Sequence, residues 1–148
     1  MRSFLLSKMA RTIDMQQMRY INLFSKVSHI IPKCSFKYNN QLIFLVPRAS
    51  VSQAIGKDAI NVKKMSTIMA KKVKIIAFPK FDDEGQMAAF IERLTSPAEL
   101  IKVELREDSL IINANRVNKA NLIGRNRGRE QELNKIMKDF FNLSLRIV

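Results

Sequence analysis

Two short segments of the chain place a glycine beside cationic side chains: Ile55-Gly56-Lys57-Asp58-Ala59 and Ile123-Gly124-Arg125-Asn126-Arg127-Gly128. The chemistry this combination suits is phosphate binding. A glycine lets the backbone approach a phosphodiester closely, and a helix that follows presents free N–H groups at its positive end. Lys57, Arg125, Arg127 and Arg129 would add charge, and Asp58 would oppose it. A single loop of this kind is also what an ordinary helix break beside solvated charge looks like; two at matched positions point to a shared task. Ile55 and Ile123, just before the glycines, fit either the lining of an apolar groove or a plain core position. Lys63 and Lys64 fall on the outward face of the helix after the first loop, where they either meet a polyanion or are solvated.

The elements around the loops repeat. A helix from Asp14, capped by that residue, carries Met18, Ile21, Phe24 and Val27 as an apolar stripe and is bounded by Pro32. Cys34, Phe36 and Tyr38 then alternate with Lys33, Ser35 and Lys37, Asn39-Asn40 suits a tight turn, and Leu42 to Val46 reads as a buried strand. A short helix breaks at Gly56, a second turns Val62, Met65 and Met69 inward, and Val73 to Phe78 reads as a strand. In the second half Asp82-Asp83 caps a helix with Met87, Phe90, Ile91 and Leu94 on its core face, ended by Pro97. Ile101, Val103 and Leu105 alternate with Lys102, Glu104 and Arg106, Leu110 to Ala114 returns, and a short helix reaches Gly124. Leu133, Ile136, Met137 and Phe140 mark a last helix, and Leu143 to Val148 a last strand. Leu42 to Gly56 and Leu110 to Gly124 are both separations of 14 residues, as expected of a duplication. The spacing predicts an α+β chain with an N-terminal extension over 1–11, one unit over 12–79 and another over 80–148, and no Gly/Ser linker between them.

Composition narrows the partners. The chain has 148 residues, 26 Lys+Arg against 13 Asp+Glu and a net charge of +13, with 47% hydrophobic residues. That combination describes a folded body that seeks a polyanion rather than a disordered basic tail. The net charge is +7 over residues 1–50, +3 over 51–96 and +3 over 97–148, so the basic character runs through folded segments. One cysteine, Cys34, and one histidine, His29, leave no disulfide within the chain and no Cys/His metal cluster, and predict a reducing, cytoplasmic setting without a cofactor. No stretch approaches the roughly 18 apolar residues of a membrane span, so a soluble protein is expected. His29 and Cys34 lack an orienting acid, Asp82, Asp83 and Glu84 suit a helix start, and the second loop lacks the ending of a Walker A sequence. No catalytic constellation emerges, and the methionines fall mostly on core stripes, as with Met65, Met69, Met87 and Met137.

With both loops and their flanks in view, the segments IFLVPRASVSQAIGKDAINVKKM, SPAELIKVEL and ANLIGRNRGRE resemble the archaeal NusA-like transcription factors, over about residues 14–148. The resemblance implies two tandem type II KH domains, each a small three-stranded sheet packed against helices. It implies a single-stranded RNA-binding factor of transcription elongation, termination or antitermination, working with RNA polymerase or its elongation complex. KH domains clamp about four nucleotides of backbone with a GXXG loop. The corresponding residues are Gly56-Lys57-Asp58-Ala59 and Gly124-Arg125-Asn126-Arg127, with Gly128 and Arg129 following the second. Ala59 and Arg127 stand where the pattern has its last glycine; a positive φ there would cost about 1 kcal/mol. Two rivals keep the same fold: a KH protein of the ribosome or its assembly, and an adaptor whose degenerate loops serve a protein partner. Oligomeric state leaves no clear trace in the sequence.

Overall fold

The computed structural model describes residues 15–148. The expected cap at Asp14 and the extension over 1–11 lie outside them. The chain divides into two compact α+β units, with the boundary between Phe78 and Pro79.

In the first unit, α1 (Met15–Ser28) leads into β1 (Cys34–Tyr38) and β2 (Gln41–Val46). Asn39 and Asn40 both take positive φ, 51° and 60°, which closes the hairpin tightly at little cost for asparagine. The chain then runs through α2 (Val51–Ile55), the glycine turn, α3 (Ile60–Met69) and β3 (Val73–Ala77). β2 lies in the middle of the sheet, antiparallel to β1 and parallel to β3. Five of its six residues, Leu42 to Val46, are buried, as a central strand requires. Leu42, Phe44 and Val46 meet Phe24 of α1, Ala54 of α2 and Met65 and Met69 of α3 in one core. The Phe24 and Phe44 rings stack there with centroids 4.4 Å apart and both side chains fully enclosed.

The second unit repeats the order as α4 (Glu84–Thr95), β4 (Lys102–Leu105), β5 (Ser109–Asn113), α5 (Arg116–Ile123), α6 (Gly128–Phe141) and β6 (Ser144–Ile147). Asp83 caps α4 by accepting the Gln86 N–H, as its spacing predicts. β5 is central, antiparallel to β4 and parallel to β6. Met87, Phe90, Ile91, Leu94, Leu133, Ile136, Met137 and Phe140 are all buried, matching the stripes read from the sequence.

Three expected core assignments differ. Met18 is 50% exposed, because the inward line of α1 runs through Tyr20, Phe24 and Ser28, about four residues apart. Ile101 is 67% exposed, since β4 begins after it and the alternation starts at Val103. Ser35, expected outward, is buried: its register partner is Phe44, on the face the helices cover.

Cys34 is buried, and burial pushes its thiol up from the ordinary value of 9.0, with Lys33 acting weakly the other way. The folded chain therefore holds that proton where the unfolded chain releases it, so this group lowers stability as pH rises above about 9. Replacing Cys34 with alanine is expected to flatten that decline in urea unfolding measured from pH 8 to 10. A thiol reagent should label Cys34 only on unfolding. Phe24→Ala removes one ring of the enclosed stack and should cost about 3 to 5 kcal/mol in the same denaturation measurement.

Candidate nucleic-acid interface

In each unit a parallel pair of strands has to be joined by a crossover, and here that crossover is a helix, a glycine turn and a second helix. Gly56 ends α2 with φ 80° and ψ 168°, and Gly124 ends α5 with φ 74° and ψ 176°. This is a region that essentially only glycine occupies. The Gly56 N–H donates to Ser52 O and the Gly124 N–H to Ala120 O, both at 2.9 Å.

After the glycine the two loops follow the same path. Asp58 and Ala59 have φ of 55° and 57°; Asn126 and Arg127 have 55° and 61°. The N–H at the fourth position returns to the glycine carbonyl at 3.2 Å in both, Ala59 to Gly56 and Arg127 to Gly124. Ala59 and Arg127 thus take the left-handed conformation a glycine would adopt freely, and accept its strain. No side chain caps α3 or α6, so their first-turn N–H groups lack a side-chain acceptor.

A residue five positions beyond each glycine completes the loop: Asn61, not singled out from the sequence as a site residue, and Arg129, expected there as a phosphate-facing cation. Both pack against the glycines: a Cβ on Gly56 would lie 2.9 Å from Asn61 Nδ2, and one on Gly124 only 2.6 Å from Arg129 Cγ. Asn61 Nδ2 also donates to Gln53 O, tying α3 to α2 across the turn. The signal was available, because the spacing that matches Gly56 with Gly124 also matches Asn61 with Arg129.

The cations are not equivalent. Lys57 and Arg125, the first residues after the glycines, are exposed, and neither makes an ion pair with any of the described residues. Arg129 donates from Nη1 to Glu132 Oε1 at 2.9 Å, and Arg127 Nε lies 4.0 Å from Glu130. Arg129 is therefore held against Gly124 rather than free to reach outward. Asp58, Lys63 and Lys64 are exposed, while Ile55, Ala59, Ile123 and Gly128 are partly buried and Ile55 packs on the first unit's core. A cleft of about 270 Å³ opens beside the second loop, lined by Ala120, Asn121, Gly124, Arg125, Gly128 and Arg129. Among the described residues no group of three or more His, Cys, Asp or Glu side chains is placed to hold a metal ion, and no helix is long and apolar enough to cross a membrane.

Gly124→Ala is expected to cost about 2 kcal/mol in thermal or urea unfolding, from backbone strain and the contact with Arg129. Arg127→Gly and Ala59→Gly should each raise stability by up to about 1 kcal/mol, less what glycine adds to the freedom of the unfolded chain.

No family model and no curated protein matches the chain. Among solved structures it is similar to the crystal structure of APE1850, with a TM-score of 0.63 and 18% sequence identity, over 91% of this chain and 99% of that one. At that identity the likeness is one of fold.

Proposed function

We propose that this protein is a single-stranded RNA-binding factor built from two KH-type units, each gripping the sugar-phosphate backbone at its glycine loop. The observation that carries this reading is the conformational identity of the two loops. Both hold a glycine-only conformation at the first position and left-handed conformations at the third and fourth, although the side chains at the fourth, Ala59 and Arg127, are ill suited to it. Strain kept at the same place in two copies speaks for a backbone path that serves a ligand. The path places an uncapped helix start beside an unpaired cation, Lys57 or Arg125, an arrangement suited to phosphate.

The partly exposed isoleucines before the glycines, Ile55 and Ile123, fit the apolar side on which bases would rest. Asp58 weakens the first loop as a phosphate site, and Arg127 and Asn126 strengthen the second, so the second unit is the stronger anchor. The work of such a factor, by the resemblance of its segments to archaeal NusA-like proteins, is in transcription elongation, termination or antitermination, beside RNA polymerase. Binding without catalysis is the activity proposed.

Fluorescence anisotropy with a labelled single-stranded RNA and its duplex tests the mechanism. The single strand should bind more tightly, and the triple variant Lys57→Asp/Arg125→Asp/Asn126→Asp should lose at least tenfold in affinity. If one unit neutralises about four phosphates, log K should fall against log salt with a slope of roughly −3, steeper when both engage. Equal affinity for single strand and duplex, unmoved by the loop variant, would overturn the reading and favour an adaptor whose partner is protein.

A further inference from the structure

The two sheets agree in register and differ sharply on the face away from their helices. In the second unit the helices pack on the side of Val103, Leu110, Ile112 and Leu145, all buried. The opposite face carries Lys102 and Glu104 of β4 and Arg106 just past its end, with Ile111 and then Arg146 in line with Glu104 across β5 and β6. That Lys102, Glu104 and Arg106 project together is shown by their contacts: Lys102 Nζ lies 2.9 Å and Arg106 Nη2 3.1 Å from the two oxygens of Glu104. The side chains of Lys102 and Arg106 are 63% and 64% exposed, and Arg146 is exposed. In the first unit the register positions matching Lys102, Glu104 and Arg106 are Cys34, Phe36 and Tyr38, all buried.

We infer that this exposed face of the second sheet is a further binding surface for the sugar-phosphate backbone of RNA, formed by Lys102, Arg106 and Arg146. It rests on the proposed RNA-binding function and extends it, because this face and the glycine loop belong to different sides of the second unit, with the helix-covered core between face and helices. Charge complementarity identifies the occupant. Three exposed cations, Lys102, Arg106 and Arg146, stand against two carboxylates, Glu104 between the first two and Glu84, which accepts the Leu105 N–H and acts on Lys102, in a chain whose net charge is +13. Along a strand, side chains of one face recur about every 6.6 to 7 Å, a spacing that lets an extended polyanion meet them in turn. Glu104 has a defined part. It occupies Lys102 and Arg106 when no ligand is bound, and both cations favour its ionised form, holding its carboxyl below the ordinary range. A phosphate displaces it, so Glu104 sets how strongly the face binds.

The arrangement gives variants of opposite sign. Anisotropy is measured with an RNA of about four nucleotides, the length one loop clamps, and with one several times longer. Lys102→Glu/Arg106→Glu/Arg146→Glu should weaken binding of the long RNA at least tenfold at low salt, flatten its salt slope by about 2 from the loss of three phosphate contacts, and leave the short RNA unchanged. Glu104→Gln, a near-isosteric change at a half-buried site, should tighten long-RNA binding two- to fivefold, with circular dichroism and the thermal midpoint confirming that both proteins are folded. If neither variant alters long-RNA binding while the loop triple variant abolishes it, the face is merely solvated and the inference fails alone. If the loop variant is silent and the face variant weakens the long RNA, the loop reading fails and the face stands.

Discussion

Everything proposed for the loops depends on a parallel pair of strands. β2 and β3 run in the same direction side by side, as do β5 and β6, so the chain must leave one end of the sheet and return to the other before it can pair. A single straight helix would make that journey without a sharp turn. Here two helices share it, and the angle between them has to be made by residues at positive φ. The glycine turn is thus part of the sheet's topology, and the sheet holds it in place: Ala54, two residues before Gly56, is fully buried against the core of β2, and Leu122 takes the matching place before Gly124. A loop anchored on both sides in this way can keep a strained backbone that a free loop would relax.

That anchoring explains what was legible in the amino-acid sequence. The glycines, the 14-residue separation from the central strand, the Asn39-Asn40 turn and the inward Met65, Met69, Met87 and Met137 follow from local chemistry, and the structure places each where the pattern puts it. The α+β class with two three-stranded sheets was equally readable, because strand and helix periods alternate in the same order twice. Met18, Ile101 and Ser35 were misplaced for a different reason. Ile101 lies just before β4, Met18 lies off the line that α1 turns inward through Tyr20, Phe24 and Ser28, and Ser35 belongs to a strand buried on both faces; packing decides each of these, and the period alone does not. Residue type did not mark Asn61 and Arg129 as packing partners of the glycines, because that part is steric: they fill the space a Cβ would need on the glycine five residues earlier, and only the matched spacing of the two copies pointed to it.

The two copies also show how a repeated frame diverges without losing its backbone. Asp58 and Asn126 differ by a charge, and Ala59 and Arg127 by a long cationic side chain, yet their dihedral angles agree within about ten degrees. The crossover and its hydrogen bonds hold this one path whatever the side chains at the third and fourth positions, which are therefore free to set the charge that a ligand meets. In the first copy the outcome is a lysine beside an aspartate. In the second it is an exposed Arg125 with Arg127 and Arg129 restrained by Glu130 and Glu132. Surface ion pairs of this kind contribute little to stability, of the order of 0 to 1 kcal/mol, so their physical effect is on where the guanidinium groups point.

The sheets diverge by the same logic, carried further. A strand alternates its side chains strictly, so a face can be rewritten residue by residue while the opposite face keeps the core intact. Val103, Leu110 and Ile112 preserve the core side of the second sheet, and on the other side the places of Cys34, Phe36 and Tyr38 are taken by Lys102, Glu104 and Arg106. Sheet pairing is untouched, because the ladder hydrogen bonds belong to the backbone. Lys102 in β4 and Arg106 just past its end flank Glu104 two residues to either side, and this carboxylate keeps the two neighbouring cations from repelling one another across the unliganded face. A surface built in that way carries excess positive charge that a polyanion can use, together with an internal counter-charge that limits how tightly it holds.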